Sequence, residues 1–206
     1  MKVYIRCWVW ALMLGLAACA STPVRYYTLL EPATALSLSP PAAFMVDVLP
    51  VDVPAQLDQP QWVVRQGDTG MQILDGERWA GPLGDELRAA LSAQLVQRLG
   101  TQDIAGLSPP RGVPVMRIKL HVRHFDAWPG QTVQLDADWS LGFADDTSQV
   151  HMICHGRFNE AAPGGYTELA RAGQRAVASL AARIAEQASE SAGARRMTCS
   201  TPASAR

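Results

Sequence analysis

Met116-Arg117-Ile118-Lys119-Leu120-His121-Val122-Arg123, followed ten residues later by Val133-Gln134-Leu135-Asp136-Ala137-Asp138-Trp139-Ser140-Leu141-Gly142-Phe143, decides the fold class. Apolar and polar side chains alternate in both runs. A strand sends successive side chains to opposite faces, so each run buries one face and leaves the other wet. Ala127-Trp128-Pro129-Gly130 supplies the turn of a long antiparallel hairpin. Pairing Asp126 with Gln131 across it sets Arg123 opposite Gln134, His121 opposite Asp136 and Lys119 opposite Asp138. Opposite charges facing one another across such a pair contribute about 0.2–1 kcal/mol each. On this reading Asp136 and Asp138 belong to a solvated charge ladder and are neither a metal site nor an acid–base pair.

Working outward, Val150 to Phe158 reads as a further strand after the Asp145-Asp146-Thr147-Ser148 turn. Upstream, Leu83, Leu87, Leu91 and Leu95 recur every four residues, and Gly100 stops the pattern, which predicts a helix over 83–99. Trp62–Arg65 and Met71–Leu74, separated by a Gly-containing loop, form a second hairpin, with Gly67, Gly70 and Gly76 serving turns. Phe44 to Pro54 is a strand that Pro50 and Pro54 confine to an edge or end early. Arg25–Leu30 is the first strand-like run. Near the C-terminus, Leu169, Gly173, Ala176, Val177, Leu180, Ala181 and Ile184 share one side of a helix over 166–187. From Ala188 onward the Ala/Ser/Gly/Arg-rich chain lacks periodicity and reads as a mobile tail. Strands grouped around two main helices predict a single α+β domain, residues 26–187, with a mixed, mainly antiparallel sheet.

Composition narrows function. The chain has 206 residues, 18 Lys plus Arg against 19 Asp plus Glu, and 48% hydrophobic residues. A core can be buried, and no basic field exists to hold nucleic acid. No Walker loop, dinucleotide Gly-x-Gly-x-x-Gly or Gly-x-Ser-x-Gly elbow occurs, and no nucleophile comes with a base and orienter at a recognisable spacing. Catalytic residues are therefore expected to be none. His121, His124, His151 and His155 lack metal-ligand spacing, since residues 151 and 155 of one strand stand about 13 Å apart. No metal or cofactor is expected.

The compartment is written at the N-terminus. Lys2 and Arg6 precede the apolar run Trp8–Ala18, which has the order of a secretory signal over residues 1–18. Eleven helical residues rise about 16 Å, short of the roughly 30 Å hydrocarbon core of a bilayer. Leu16-Ala17-Ala18-Cys19 has the form of a bacterial lipobox, which makes Cys19 the expected lipid attachment site, with S-diacylglycerol and N-acyl groups. Removing Lys2 and Arg6 leaves 16 basic against 19 acidic side chains, a formal charge of −3. Residues 19–25 form a tether of about 20 Å. Cys154 and Cys199 are the remaining thiols once Cys7 is removed and Cys19 acylated. An oxidising compartment permits a disulfide, and about twelve residues beyond the helix can span about 40 Å. The shared parity of Cys154 with Val150, Met152 and Phe158 fits a buried free thiol equally well.

Three strings then carry a resemblance: Arg25-Tyr26-Tyr27-Thr28-Leu29 soon after the lipidated cysteine, Val53-Pro54-Ala55-Gln56-Leu57-Asp58-Gln59-Pro60-Gln61, and Arg78-Trp79-Ala80-Gly81-Pro82-Leu83. From the lipobox to the final helix the chain resembles the ABC-type transport auxiliary lipoproteins, the paraquat-inducible type among them. The tail and Cys199 depart from that pattern. The resemblance implies a non-enzymatic partner of an intermembrane lipid-transport machine, comprising an ABC permease and ATPase and a mammalian-cell-entry (MCE) protein. It also implies a homo-oligomeric ring. With Ala20 rather than Asp after Cys19, the resemblance implies an outer-membrane anchor with the domain in the periplasm. The alternative function is a monomeric carrier holding one lipid. Tyr26, Tyr27, Leu57, Arg78, Trp79, Pro82 and Leu83 carry the motif, and packing is their expected role, with Arg78-Trp79 anchoring the loop that enters the helix.

Overall fold

The long hairpin forms β5 (Val115–Trp128) and β6 (Thr132–Phe143), and its alternation is used as the sequence implies. Met116, Ile118, Leu120 and Val122 of β5 face the core with Val133, Leu135, Ala137, Trp139 and Leu141 of β6. A bulge at Arg123 then shifts the parity, so that Phe125 and Ala127 continue the buried set. The strands run on to Trp128↔Thr132, leaving Pro129-Gly130-Gln131 as the turn. Gly130 adopts a φ of 75°, a left-handed conformation open to glycine. The expected register is thereby corrected. Lys119 pairs with Ser140, His121 with Asp138 and His124 with Asp136, because both the tighter turn and the bulge move the ladder.

This computed structural model describes residues 23–32, 40–145, 152–194 and 199. Besides the hairpin it contains β1 (Arg25–Tyr27), β2 (Met45–Val48), β3 (Gln61–Gln66), β4 (Gly70–Trp79), α1 (Leu83–Leu99), β7 (Met152–Ala161) and α2 (Tyr166–Ala194). The protein is a single α+β domain whose strands divide between two mixed sheets, ordered β1-β4-β3 and β2-β5-β6-β7. In each, one N-terminal strand joins in parallel, β1 to β4 and β2 to β5, and the remaining pairs are antiparallel. Alternation reports which face a strand buries but not whose edge it bonds, so the division into two sheets lay beyond it. β3 meets β5 through the Arg65–Asp126 ion pair, 2.7 Å, with no backbone ladder between them. The prolines after β2 are consistent with its place at a sheet edge.

The helices cover the apolar face of the larger sheet. α1 buries Leu83, Leu87, Leu91, Leu95 and Leu99, and Gly100 ends it in the left-handed conformation, φ 58°, donating its N–H to the Val96 carbonyl. α2 buries Leu169, Ala172, Ala176, Val177, Leu180, Ala181 and Ile184. Its small residues permit close approach. A Cβ at Gly173 would lie 3.0 Å from Leu29 Cδ2 and 3.3 Å from Phe125 Cζ, so glycine there lets the first segment of the domain lie against the helix.

α2 continues seven residues past the expected end at Gln187, a correction to the reading of the tail as mobile from Ala188. Ala188 and Ser191 are buried, the Ser189 and Ser191 hydroxyls bond back to the Ala185 and Gln187 carbonyls, and Gln187 accepts a 2.8 Å hydrogen bond from Trp139 Nε1. Residues 195–198 and 200–206 lie outside the described residues. Cys154 and Cys199, for which the sequence left two states open, form a disulfide that returns the chain after α2 to β7.

This cross-link closes a loop with a sequence separation of 45 residues. On the chain-entropy account it stabilises the fold by about 4 kcal/mol. Urea unfolding of the oxidised protein and of a Cys154→Ala/Cys199→Ala variant should differ by an amount of that order; equal stabilities would show that the bridge does not constrain the unfolded chain.

Candidate functional site

The three motif strings converge on one aromatic junction. β1 brings Tyr27, β3 brings Trp62, and the end of β4 brings Trp79. Ring centroids are 5.1 Å apart for Tyr27–Trp62, 4.5 Å for Trp62–Trp79 and 6.1 Å for Trp79–Phe125, and Tyr166 at the start of α2 lies 6.1 Å from Trp62. Backbone bonds lock the strings together. Trp79 N–H donates to the Pro60 carbonyl at 2.7 Å, and Ala80 N–H donates to the Tyr27 carbonyl at 2.8 Å. Arg78-Trp79 completes a strand just before the short connection into α1, and Trp79 is buried there as a packing anchor. Pro82 precedes the first helical residue and accepts from the Asp85 and Glu86 amides. Leu83 and Leu57 are buried, Leu57 within a turn in which its own amide donates to the Pro54 carbonyl.

A bulge in β4 makes this possible. Gln61 pairs with Arg78, but the next residue, Trp62, pairs with Leu74, so Asp75-Gly76-Glu77 forms an excursion on one strand. Gly76 therefore lies within β4 and not in the turn where the sequence reading placed it. The excursion buries Glu77, which receives the Arg25 guanidinium. Burial, followed by the hydrogen bond to Glu77, pushes the Tyr27 phenol above its ordinary range. Glu86 ties the same segment to α1 by accepting from Thr28 Oγ1 at 2.7 Å and Leu29 N–H at 2.8 Å. Sequence reasoning missed Trp62, Glu77 and Glu86 as parts of this junction. Their signal was only a tryptophan opening a hairpin and acids flanking the Arg-Trp string.

The second polar cluster lies on the opposite face of the large sheet from the helices. Arg123 Nε is 2.5 Å from Asp138 Oδ2, His155 Nδ1 is 3.0 Å from Asp138 Oδ1, and Arg157 Nη2 is 2.9 Å from Asp136 Oδ2. Lys119 reaches Asp52 at 3.9 Å instead of Asp138. The expected charge ladder exists with partners displaced by the register, two of the three coming from β7, and Asp136 within it is buried and not solvated. Asp136 and Asp126 are buried beneath exposed or half-buried arginines. Among the described residues no group of three or more His, Cys, Asp or Glu is placed to hold a metal ion. Cys19 lies outside the described residues, and no described helix is long and apolar enough to cross a membrane.

Comparison with known proteins follows the same outline. Residues 27–185 match the family described as "ABC-type transport auxiliary lipoprotein component". A crystal structure of an uncharacterized protein superposes with a TM-score of 0.64 at 21% identity, covering 82% of this chain and 100% of that one. A protein from Xanthomonas campestris gives 0.58 at 14% identity, covering 82% and 94%. These likenesses concern the fold. Among curated proteins, none matches the chain.

Two outcomes test the site. Trp79→Ala should lower stability by about 3–5 kcal/mol, the usual cost of truncating a large buried aromatic, as read by urea unfolding; a loss below about 1 kcal/mol would remove it as the anchor. Burial opposes the charge on Asp138, and hydrogen bonds from Arg123 and His155 outweigh it, so this carboxyl is held below its ordinary value. A carboxyl depressed in the folded state stabilises the fold above its unfolded pKa of about 3.9, and that contribution is lost as pH falls through the folded value. The stability gap between wild type and Asp138→Asn should therefore shrink as pH drops below about 4. Parallel stability curves over that range would contradict it.

Proposed function

Because the chain belongs to the ABC-type transport auxiliary lipoprotein family, we propose that it is a non-catalytic lipoprotein of the outer membrane, anchored through acylated Cys19 and working in the periplasm beside an MCE-type lipid-transport system. The observation that carries this reading is the pairing of the family match over residues 27–185 with Leu-Ala-Ala-Cys ending an apolar run only a few residues upstream. Ala20 after the acylated cysteine favours the outer membrane. Of the motif residues, Tyr27, Leu57, Trp79 and Leu83 are engaged in packing, whereas Tyr26, also expected to pack, is exposed and open to contact. The protein's partners are an ABC permease and ATPase and an MCE protein, and its own copies assemble into a ring. Confinement to one membrane surface favours such assembly even from weak contacts, because linked sites act at high effective concentration.

In cells, Cys19→Ser should abolish metabolic fatty-acid labelling and release the protein from the membrane fraction or leave its precursor uncleaved. In-membrane crosslinking of the wild type should yield a ladder of self-linked species and an MCE-domain protein. Undiminished labelling of the variant would overturn the anchor, and crosslinking that captures neither species would overturn the transport assembly.

A further inference from the structure

The three-stranded sheet packs one face against the core and leaves much of the other exposed, although on that second face Val63 is buried and Arg65 is held by Asp126. On the packed face lie Tyr27, Trp62, Leu74 and Trp79. On the other, Tyr26 is 65% exposed, Ile73 55% and Met71 43%, and Val24, which continues the alternation of β1, is 41% exposed. The alternation here is unusual in setting apolar residues on both faces, whereas a sheet with one wet face ordinarily carries polar residues there. The β4 bulge draws these residues together. Gln61 pairs with Arg78 and Val63 with Ile73, so Arg78 and Ile73 stand about 7 Å apart along the sheet, and Tyr26 lies one strand spacing of about 4.8 Å from Arg78. Arg78 has no carboxylate partner among the described residues.

We propose that this face, Val24, Tyr26, Arg78, Ile73 and Met71, rests on the lipid surface to which the chain is anchored. The inference deepens the reading above and rests on acylation at Cys19. Val24 follows Cys19 by five residues, a reach of at most about 18 Å. A domain of this size measures about 40 Å across, so the tether holds the β1 side toward the bilayer and keeps the far side away from it. The chemistry of the face suits that position. A tyrosine places its ring among acyl carbons and its hydroxyl among headgroups, isoleucine and methionine gain by leaving water, and an unpaired guanidinium matches lipid phosphate. A second copy of the chain could also cover such a face, and the experiment separates the two.

Full-length acylated protein is reconstituted in phosphatidylethanolamine/phosphatidylglycerol vesicles, with nitroxide labels introduced singly by Tyr26→Cys, Ile73→Cys and, as a reference on an exposed loop far from β1 in sequence, Leu107→Cys. Flotation first establishes anchoring, and thermal unfolding confirms the fold. The ratio of collision with oxygen to collision with an aqueous nickel chelate should be several-fold higher at positions 26 and 73 than at position 107. Equal ratios in floated protein would overturn the membrane-facing surface while leaving the anchor intact. Labels shielded from both reagents, with spin–spin broadening between molecules, would overturn it in favour of a self-contact. Failure to float would overturn the anchor and this surface with it.

Discussion

The burial of Trp62 and Trp79 against each other is the contact on which the rest of the domain depends. Each indole removes a large apolar area from water, but neither can be covered by its own hairpin. Tyr27 must arrive from the chain start, Phe125 from the long hairpin and Tyr166 from the beginning of the final helix. The junction therefore fixes five distant segments at once. It also accounts for the β4 bulge, since an excursion of an odd number of residues, here three, lets one strand offer both Leu74 and Trp79 to the same core. The cost of that excursion, a buried Glu77, is offset by Arg25 from the neighbouring strand.

The larger sheet solves a different problem. Its helix-covered face is filled by alternating aliphatic residues, whereas its other face carries aspartates that are nearly out of water. A buried carboxylate without a partner would be strongly destabilising, and removing one member of such a pair exposes that penalty. Arg65, Arg123 and Arg157 supply the countercharge from three different strands. The result is a surface on which Asp126, Asp136 and Asp138 each meet an arginine.

The sequence was most legible where one physical rule acted alone. Period-two alternation located β5 and β6, and four-residue leucine spacing located α1. It was least legible where a bond depends on a partner far along the chain. Asp136 and Asp138 were recognised as members of a ladder, yet their cations could not be assigned, because one bulge at Arg123 shifts every later pair. The end of α2 was missed because alanines and serines carry little periodic signal, while their burial is set by Trp139 and the sheet.

By itself, then, the amino-acid sequence determined the class of fold, its two main helices, the hairpin at its centre and a likeness to auxiliary transport lipoproteins, since these follow from local periodicity and short strings. Long-range packing set the division of the strands into two sheets, brought Cys154 to Cys199 and placed Arg78-Trp79 at the end of a strand. It also aligned Tyr26 with Arg78 and Ile73 on one largely exposed face. The reason is that edge pairing and register are chosen by the packing of side chains remote in sequence, which neither propensity nor alternation encodes.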